Sequence, residues 1–488
     1  MKVGAEISKR FVTNVLGTLL GFLGTIFFTR ELGFDGIGVY SIFLGMQMIA
    51  ANLATFGLFP VLVKNVSEGG AEARHFASAT LILLGGVGIL TAVVAPLRGY
   101  LNGILHTEAA MLVPLGVLTW GLYRLSGAFL EGKQRVALVG AIENGRYALI
   151  VPIQAALVVA GFGVYGLIWG LIVGQFLTFC VSFFGFARVI PARPSRSMFR
   201  EFLDYSKYSY VQSVSSQLFK HADYILLGQF VGTGVTGVYK NVFTLTEASM
   251  LFSSALAQVA LPQVSVHADE GNDEETTYLL GAILTYAGLF AIPVVGGGAI
   301  IGNDLLLTLY GTAAGTTVLP VVGAVGLANS LIPVLAIANL MNGYREGLEK
   351  FFLGTDRPRV YAMSGFLLIA VYGLTAIPLT DLYDSWGVAW ATVFSFGASV
   401  ATLFYLLDEP VSPAAVADVG RQVVAMLAMT AVVYAVTLEL GGAHGALRLA
   451  AVLAVGGATY FAVLLMLSER IRLDARGVVR DLRNQMLP

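Results

Sequence analysis

The chain has 488 residues, 57% hydrophobic and 12% charged, with a mean hydropathy of +0.78; a soluble domain carries about a quarter charged residues. That composition excludes an ordinary soluble fold, and a formal net charge of −1 removes the electrostatic basis for binding nucleic acid. One cysteine, Cys180 inside an apolar run, leaves neither a disulfide nor a thiolate metal site.

The first apolar run, 11–29, ends in Thr29-Arg30-Glu31 without a small-residue cleavage site. It reads as a retained membrane span, not a cleaved signal peptide. Further runs of about twenty residues follow, each long enough to cross a bilayer as a helix. Fourteen spans are predicted, at roughly 11–29, 38–59, 76–96, 109–130, 144–161, 164–187, 207–229, 237–262, 278–302, 316–342, 359–379, 385–407, 419–438 and 447–467. The fifth and sixth meet at a tight Gly-Phe-Gly turn, 161–163. The fold class is therefore an all-α membrane protein. Alternating sides puts 23 of the 29 basic residues on one face; the other receives Arg30, Arg98 and Arg448, and the spans keep Arg124, Lys220 and Lys240. Basic residues favour the cytoplasmic side, so both termini are expected in the cytoplasm of a multi-pass cell-membrane protein. The acidic loop 267–276 shares that side, which is tolerable because acidic residues contribute little to topology.

The second half repeats the first. At a constant offset of 199, residues 11–40 and 210–239 share eight identities, bunched in a Gly-x4-Gly-Val-Tyr tail at Gly33–Tyr40 and Gly232–Tyr239. A second pairing, Tyr165–Trp169 with Trp386–Trp390, has an offset of 221, so the second half gains about 22 residues, for which the loop 263–277 offers a place. Duplicated bundles around a central site are a common transporter plan. The expected organisation is a six-helix lobe 1–187, an interfacial basic-aromatic linker 188–206, a second six-helix lobe 207–408, a helix pair 409–467 and an Arg-rich tail 468–488. Such basic segments sit beside anionic lipid headgroups.

The copies differ in charge. The first has none through its apolar run, whereas the second has Lys220, His221 and Asp223. A charge near the bilayer centre costs a few kcal/mol, so it faces protein or water. Lys220 and Asp223, three apart, either neutralise each other or line a cavity. His221 either titrates near neutral pH or packs as a hydrogen-bonded group. Glu247, mid-span, is either an ion-binding carboxylate or a partner for Lys220 or Lys240. Arg124 either snorkels past Tyr123 or faces a cavity. Arg30, beside Glu31 and Asp35, is a helix-end anchor or an external gate. The glycines of LGTLLGFLG (16–24) and VVGGGAIIG (294–302) read as close helix packing, and Pro152, Pro293, Pro320, Pro333 and Pro378 as sites of kinking. There is no Walker A sequence, His/Cys metal cluster or catalytic-triad pattern, so neither a cofactor nor ATP-driven transport is expected.

These features resemble a family. The carrying residues are Arg30-Glu31-Leu32-Gly33 with Gly38-Val39-Tyr40, Glu131-Gly132-Lys133-Gln134-Arg135, Asp223 with Gly228, Gly237-Val238-Tyr239, and Gly387-Val388-Ala389-Trp390. Their order and spacing resemble the O-antigen and polysaccharide-type flippases of lipid-linked oligosaccharides, in the multidrug/oligosaccharidyl-lipid/polysaccharide (MOP) exporter superfamily. The last motif lacks the family's alanine pair. The resemblance implies a two-lobed transporter, not an enzyme, moving polyprenyl-(pyro)phosphate-linked glycan by alternating access. It implies a head-group path through Arg30, Arg124, Lys220 and Lys240, and coupling to H⁺ or Na⁺ through Asp223, Glu247 or His221. The expected partners are membrane lipid and glycosyltransferases or a polymerase of the same pathway, and the expected state is a monomer. An ion-coupled multidrug or cation antiporter of the superfamily is the alternative. A membrane glycan polymerase is a second, disfavoured by short, nearly uncharged external loops.

Overall fold

The computed structural model describes residues 2–189, 192–194, 221–319, 323–474 and 476–477; for residues 2–16, 18, 252, 259, 273, 318 and 319 only the backbone is described. Lys220, most of the linker 188–206 and the tail beyond 477 lie outside these residues. The chain divides into two compact units, Met1–Lys240 and Asn241–Pro488. Among the described residues nearly all regular structure is helix, the form in which a spanning chain satisfies every backbone polar group within itself.

The N-terminal unit holds α1 (Lys2–Thr55), α2 (Leu58–Ser67), α3 (Glu72–Leu105), α4 (Leu112–Gly132), α5 (Val136–Leu157), α6 (Gly163–Cys180) and helical residues 221–230, α7. Helix α8 (Thr233–Glu247) begins in this unit and ends in the next. The C-terminal unit continues with α9 (Leu251–Asp269), α10 (Asp273–Ala287), α11 (Ala291–Tyr310), a two-stranded hairpin, α12 (Leu327–Gly354), α13 (Pro358–Tyr405), α14 (Pro413–Glu439) and α15 (Ala446–Leu467).

A 54-residue helix such as α1 would run about 80 Å at 1.5 Å per residue, far beyond a hydrocarbon core of about 30 Å. It is interrupted at Gly33 (φ 68°, ψ 179°). The 48-residue α13 is interrupted at Tyr383 and Asp384, the latter with φ 52°. Helices α5 and α6 meet through a π-turn closed by Gly161 (φ 89°) and Gly163 (φ 55°). Each break falls where the sequence predicts the loop between spans one and two, eleven and twelve, and five and six. Among the described residues seven apolar stretches are long enough to cross a membrane, and eight if α8 and α9, bent by 47°, form one span. Three of the seven contain two predicted spans each.

Two predicted spans fall below that apolarity for a common reason. Helices α4 and α12 carry Arg124 and Glu131, and Arg345, Glu346, Glu349 and Lys350. They are also the most enclosed helices of their units: 14 of the 21 residues of α4 and 18 of the 28 of α12 are buried. Helix α4 packs on α1, α2, α3 and α6, and α12 on α9, α10, α11 and α13. A helix screened by its neighbours has less need of an apolar surface.

Two predicted boundaries are corrected. The tenth span was expected from 316, but Thr316–Leu319 and Gly323–Gly326 form an antiparallel hairpin, Thr316 opposite Gly326, before α12 starts at Leu327. Thr316, Thr317 and Val318 are β-branched and favour extended backbone. The predicted loop 263–277 is also mostly helix. Helix α9 continues to Asp269, and the Asn272 side chain accepts a hydrogen bond from the Glu275 amide at 3.2 Å to cap α10. Glu274 and Glu275 then sit in the first turn of α10, where acidic groups complement the helix dipole.

The repeat persists in packing. A Cβ on Gly132 would lie 2.6 Å from the Val66 side chain and 2.9 Å from the Val63 carbonyl oxygen; one on Gly354 would lie 2.8 Å from the Val264 side chain and 3.2 Å from the Leu261 oxygen. Val63 and Val66 stand 198 residues before Leu261 and Val264. Likewise Gln47 of α1 donates to the Gly116 carbonyl of α4 at 2.9 Å, and Asn339 of α12 to Thr246 of α8 at 2.9 Å. The helix pair α14–α15 packs on α11, and its loop is tied there by the Ala443 amide donating to Asp304 at 2.8 Å.

Candidate functional site

The repeated glycine motifs meet each other. A Cβ on Gly38 would stand 1.8 Å from the Thr233 carbonyl oxygen, and one on Gly237 would stand 1.9 Å from the Phe34 carbonyl oxygen. Gly237 and Thr233 are the 199-offset counterparts of Gly38 and Phe34, so the contact is reciprocal, as across a two-fold axis. Beside it the Thr233 hydroxyl donates to Asp35 at 2.7 Å. Arg30 is exposed just before the Gly33 break, within four residues of this seam.

Asp223 is 5% exposed and accepts a hydrogen bond from the Tyr239 hydroxyl at 2.5 Å. The Tyr224 ring lies edge-on to Tyr239 with centroids 6.4 Å apart, and Lys240 Nζ stands 5.7 Å from the Tyr224 ring centre. The His221 ring is 6.2 Å from that of Tyr224. Asp223, Lys240 and His221 are thus gathered around two tyrosines. The first-copy counterparts of Asp223 and Tyr239 are Gly24 and Tyr40. Tyr40 accepts from Gln154 at 2.8 Å, and Gln154 also donates to the Leu167 carbonyl at 2.8 Å. Tyr239→Phe, which strips a donor from a buried carboxylate, is expected to destabilise by about 2 kcal/mol. Tyr40→Phe, which leaves Gln154 a partner, is expected to cost about 1 kcal/mol or less. Chemical unfolding in detergent compares the two.

A second cluster joins α4 and α5. Arg124 forms an ion pair with Glu143, and its guanidinium lies 5.7 Å from the Phe59 ring centre of α2. The Tyr123 hydroxyl donates to Glu143 at 3.4 Å. Arg146, one turn beyond Glu143, lies between two aromatic rings, 5.3 Å from the centre of Tyr123 and 5.1 Å from that of Tyr147. Each such cation–π contact contributes about 0.5–2 kcal/mol, depending on desolvation. Helix α5 is pressed against the glycine face of α1: a Cβ on Gly17 would lie 3.1 Å from Asn144, and one on Gly24 3.1 Å from Val151. Arg124 is therefore a paired cation. Its partner Glu143 and neighbour Arg146 did not stand out in the sequence, where Arg146 counts among the cytoplasmic basic residues. The available signal was two opposite charges three apart at the mouth of a span, with tyrosines on both helices.

In the C-terminal unit Arg345 donates to Glu349 at 2.6 Å and to Asn342 at 2.8 and 3.1 Å, and lies 5.5 Å from the Phe396 ring centre. Ser364 donates to Glu349 at 2.5 Å, and Ser254 to Glu346 at 2.8 Å. Glu247 is exposed at the end of α8, where the helix gives way to a 3₁₀ turn. Among the described residues no three His, Cys, Asp or Glu side chains stand together as a metal site.

Residues 27–315, more than half of the chain, match the sequence model of a family described as polysaccharide biosynthesis protein. Two Haloferax volcanii proteins are similar over most of their lengths. The probable low-salt glycan biosynthesis flippase Agl15 is 24% identical over 414 residues, 84% of this chain and 85% of that protein. The probable flippase AglR is 24% identical over 479 residues, 96% and 97%. A structure of the lipid II flippase MurJ in an inward closed conformation superposes with TM-score 0.77 at 13% identity, covering 94% of this chain and 98% of that one. An inward-facing multidrug-resistance MATE transporter of the MOP superfamily gives 0.58 at 13% identity, covering 80% and 94%. At such identities the structural likeness concerns the fold.

Proposed function

The chain belongs to the polysaccharide biosynthesis protein family, and from that premise we propose that it is a flippase moving a polyprenyl-(pyro)phosphate-linked oligosaccharide across the cytoplasmic membrane by alternating access. The observation that carries this reading is the pair of arginines, Arg124 and Arg146, held against aromatic rings inside helices of a largely apolar protein. A phosphate-bearing head requires cations that can also donate hydrogen bonds, whereas an organic-cation carrier requires acidic groups in their place. Both termini are cytoplasmic in this proposal, and the glycan is delivered to external polymerases or glycosyltransferases. The head-group path runs by Arg30, Arg124, Lys220 and Lys240. Coupling to H⁺ or Na⁺ through Asp223, His221 or Glu247 is part of the proposal, Asp223 being favoured by its burial.

Flipping in proteoliposomes tests it, with a labelled polyprenyl-phosphate-linked oligosaccharide and an impermeant probe of the outer leaflet. Protein-dependent transfer is expected, falling about tenfold or more in Lys220→Ala, the loss of one transition-state contact of about 1.4 kcal/mol. Absence of transfer with several glycans, together with gradient-driven uptake of an organic cation, would overturn the reading. Transfer indifferent to collapse of both proton and sodium gradients would remove the coupling proposal alone.

A further inference from the structure

We propose that Arg146 seats the phosphoryl group of the lipid carrier, an inference that rests on the flippase reading. A guanidinium offers five donors in a planar fork. Here the one hydrogen bond described is long, from Nη2 to the Tyr147 hydroxyl at 3.4 Å. The Nε atom is closed off from solvent and has no hydrogen-bond partner among the described residues. The nearby carboxylate, Glu143, already receives Arg124 and the Tyr123 hydroxyl. The rings of Tyr123 and Tyr147, at 5.3 and 5.1 Å, hold the arginine in place and supply only that one long acceptor, the Tyr147 hydroxyl. Arg345 in the C-terminal unit is the contrast, its fork filled by Glu349 and Asn342. An oriented, under-used fork calls for a partner with several acceptor oxygens, which a phosphate supplies.

The position selects a lipid-borne phosphate. Arg146 lies ten residues into α5 and is the last charged residue before Arg188; 147–187 contains no Asp, Glu, Lys or Arg. Along α5 it is the boundary between a charged stretch, with Glu143, and a remainder without charged residues. In a polyprenyl-linked glycan the phosphate occupies the same boundary, between a hydrocarbon tail and a hydroxyl-rich sugar. The flanking tyrosines, each with an apolar face and a polar tip, suit both neighbours.

The test is a binding titration on the full-length purified protein in detergent, followed by native mass spectrometry. The probes are undecaprenyl phosphate, undecaprenol and dioleoylphosphatidylglycerol. Wild type is expected to prefer the polyprenyl phosphate over the alcohol about tenfold or more, a difference of one charge-assisted fork contact, and over phosphatidylglycerol similarly. Arg146→Gln should erase the preference over the alcohol, and Arg146→Lys, which keeps the charge without the planar fork, should retain only part of it. Arg135→Gln, an exposed arginine at the α4–α5 turn, should bind as wild type. If Arg146→Gln does not fold, the lysine variant decides: full wild-type preference in it overturns the proposal. A preference surviving in Arg146→Gln also overturns it while leaving the flippase reading intact. Phosphatidylglycerol binding as tightly as the polyprenyl phosphate overturns the assignment to substrate and makes this a bulk-lipid site. No discrimination by wild type, with no flipping in proteoliposomes, removes both readings.

Discussion

Leucine at Gly38 is expected to abolish recovery of folded protein, and alanine at the same site to lower the thermal midpoint substantially. The new Cβ would lie 1.8 Å from the Thr233 carbonyl oxygen, and a backbone carbonyl within a helix start cannot rotate away as a side-chain tip can. Overpacking of an ordinary core costs about 1–3 kcal/mol; a backbone obstacle places this site at the upper end even for one methyl. Gly237→Ala should behave alike, since its Cβ would meet the Phe34 carbonyl at 1.9 Å. Because both contacts close one seam, the Gly38→Ala/Gly237→Ala pair should cost less than the sum, with a coupling of about 0.5–3 kcal/mol. Gly99→Ala in α3, where a Cβ meets nothing within 4 Å, serves as the control and should be neutral or stabilising by up to about 1 kcal/mol. Fluorescence-detected size exclusion reads recovery of the leucine variant, and its thermal-shift form reads the four alanine variants. Strict additivity would show that the two glycines serve separate contacts and that the reciprocal seam has no energetic unity.

The second large effect belongs to the Arg124–Glu143 pair. Glu143→Met should destabilise the protein and the double variant Arg124→Met/Glu143→Met should recover most of the loss. Removing one partner of a buried pair leaves an uncompensated charge at about 3–5 kcal/mol, whereas replacing both by apolar groups is often neutral. The side chains here are 27% and 38% exposed, so screening reduces the single-variant cost to roughly 1–3 kcal/mol. Transport separates structure from function. If Arg124 belongs to the head-group path, the stable double variant should still flip about tenfold or more slowly, the loss of one polar contact. A double variant that is both stable and fully active would reduce the pair to a structural tie.

The elements were legible in the sequence because lipid leaves few alternatives: apolar runs of about twenty residues become helices. The breaks at Gly33, Gly161–Gly163 and Asp384 fell between predicted spans because turns between antiparallel helices need backbone conformations that glycine, and less readily aspartate, adopts. The family resemblance carried by Gly38-Val39-Tyr40, Gly132 and Gly237 holds. Tertiary pairing was not legible. Arg124 and Glu143 are nineteen residues apart across a turn, so helical spacing, which exposes only neighbours three and four apart, could not join them. Arg146 was hidden by its proximity to a predicted helix end, where an arginine ordinarily needs no explanation. For Asp223 helical spacing offered Lys220 or a cavity, whereas its described donor, Tyr239, comes from the next helix. The early start given to the tenth span shows the converse error: apolarity alone cannot tell a β-hairpin such as 316–326 from the beginning of a helix.

The reciprocal seam has an evolutionary consequence. A segment that packs on its own copy through matched glycines has the form of an isologous interface, in which residue i meets j and j meets i. A half-length chain bearing the Gly-x4-Gly-Val-Tyr tail would therefore carry a self-complementary surface, the kind through which two-fold homodimers assemble. Fusion then frees each copy from serving both positions. Asp223 stands where the other copy has Gly24, so the two copies differ in chemistry while both keep the glycine contact at the seam.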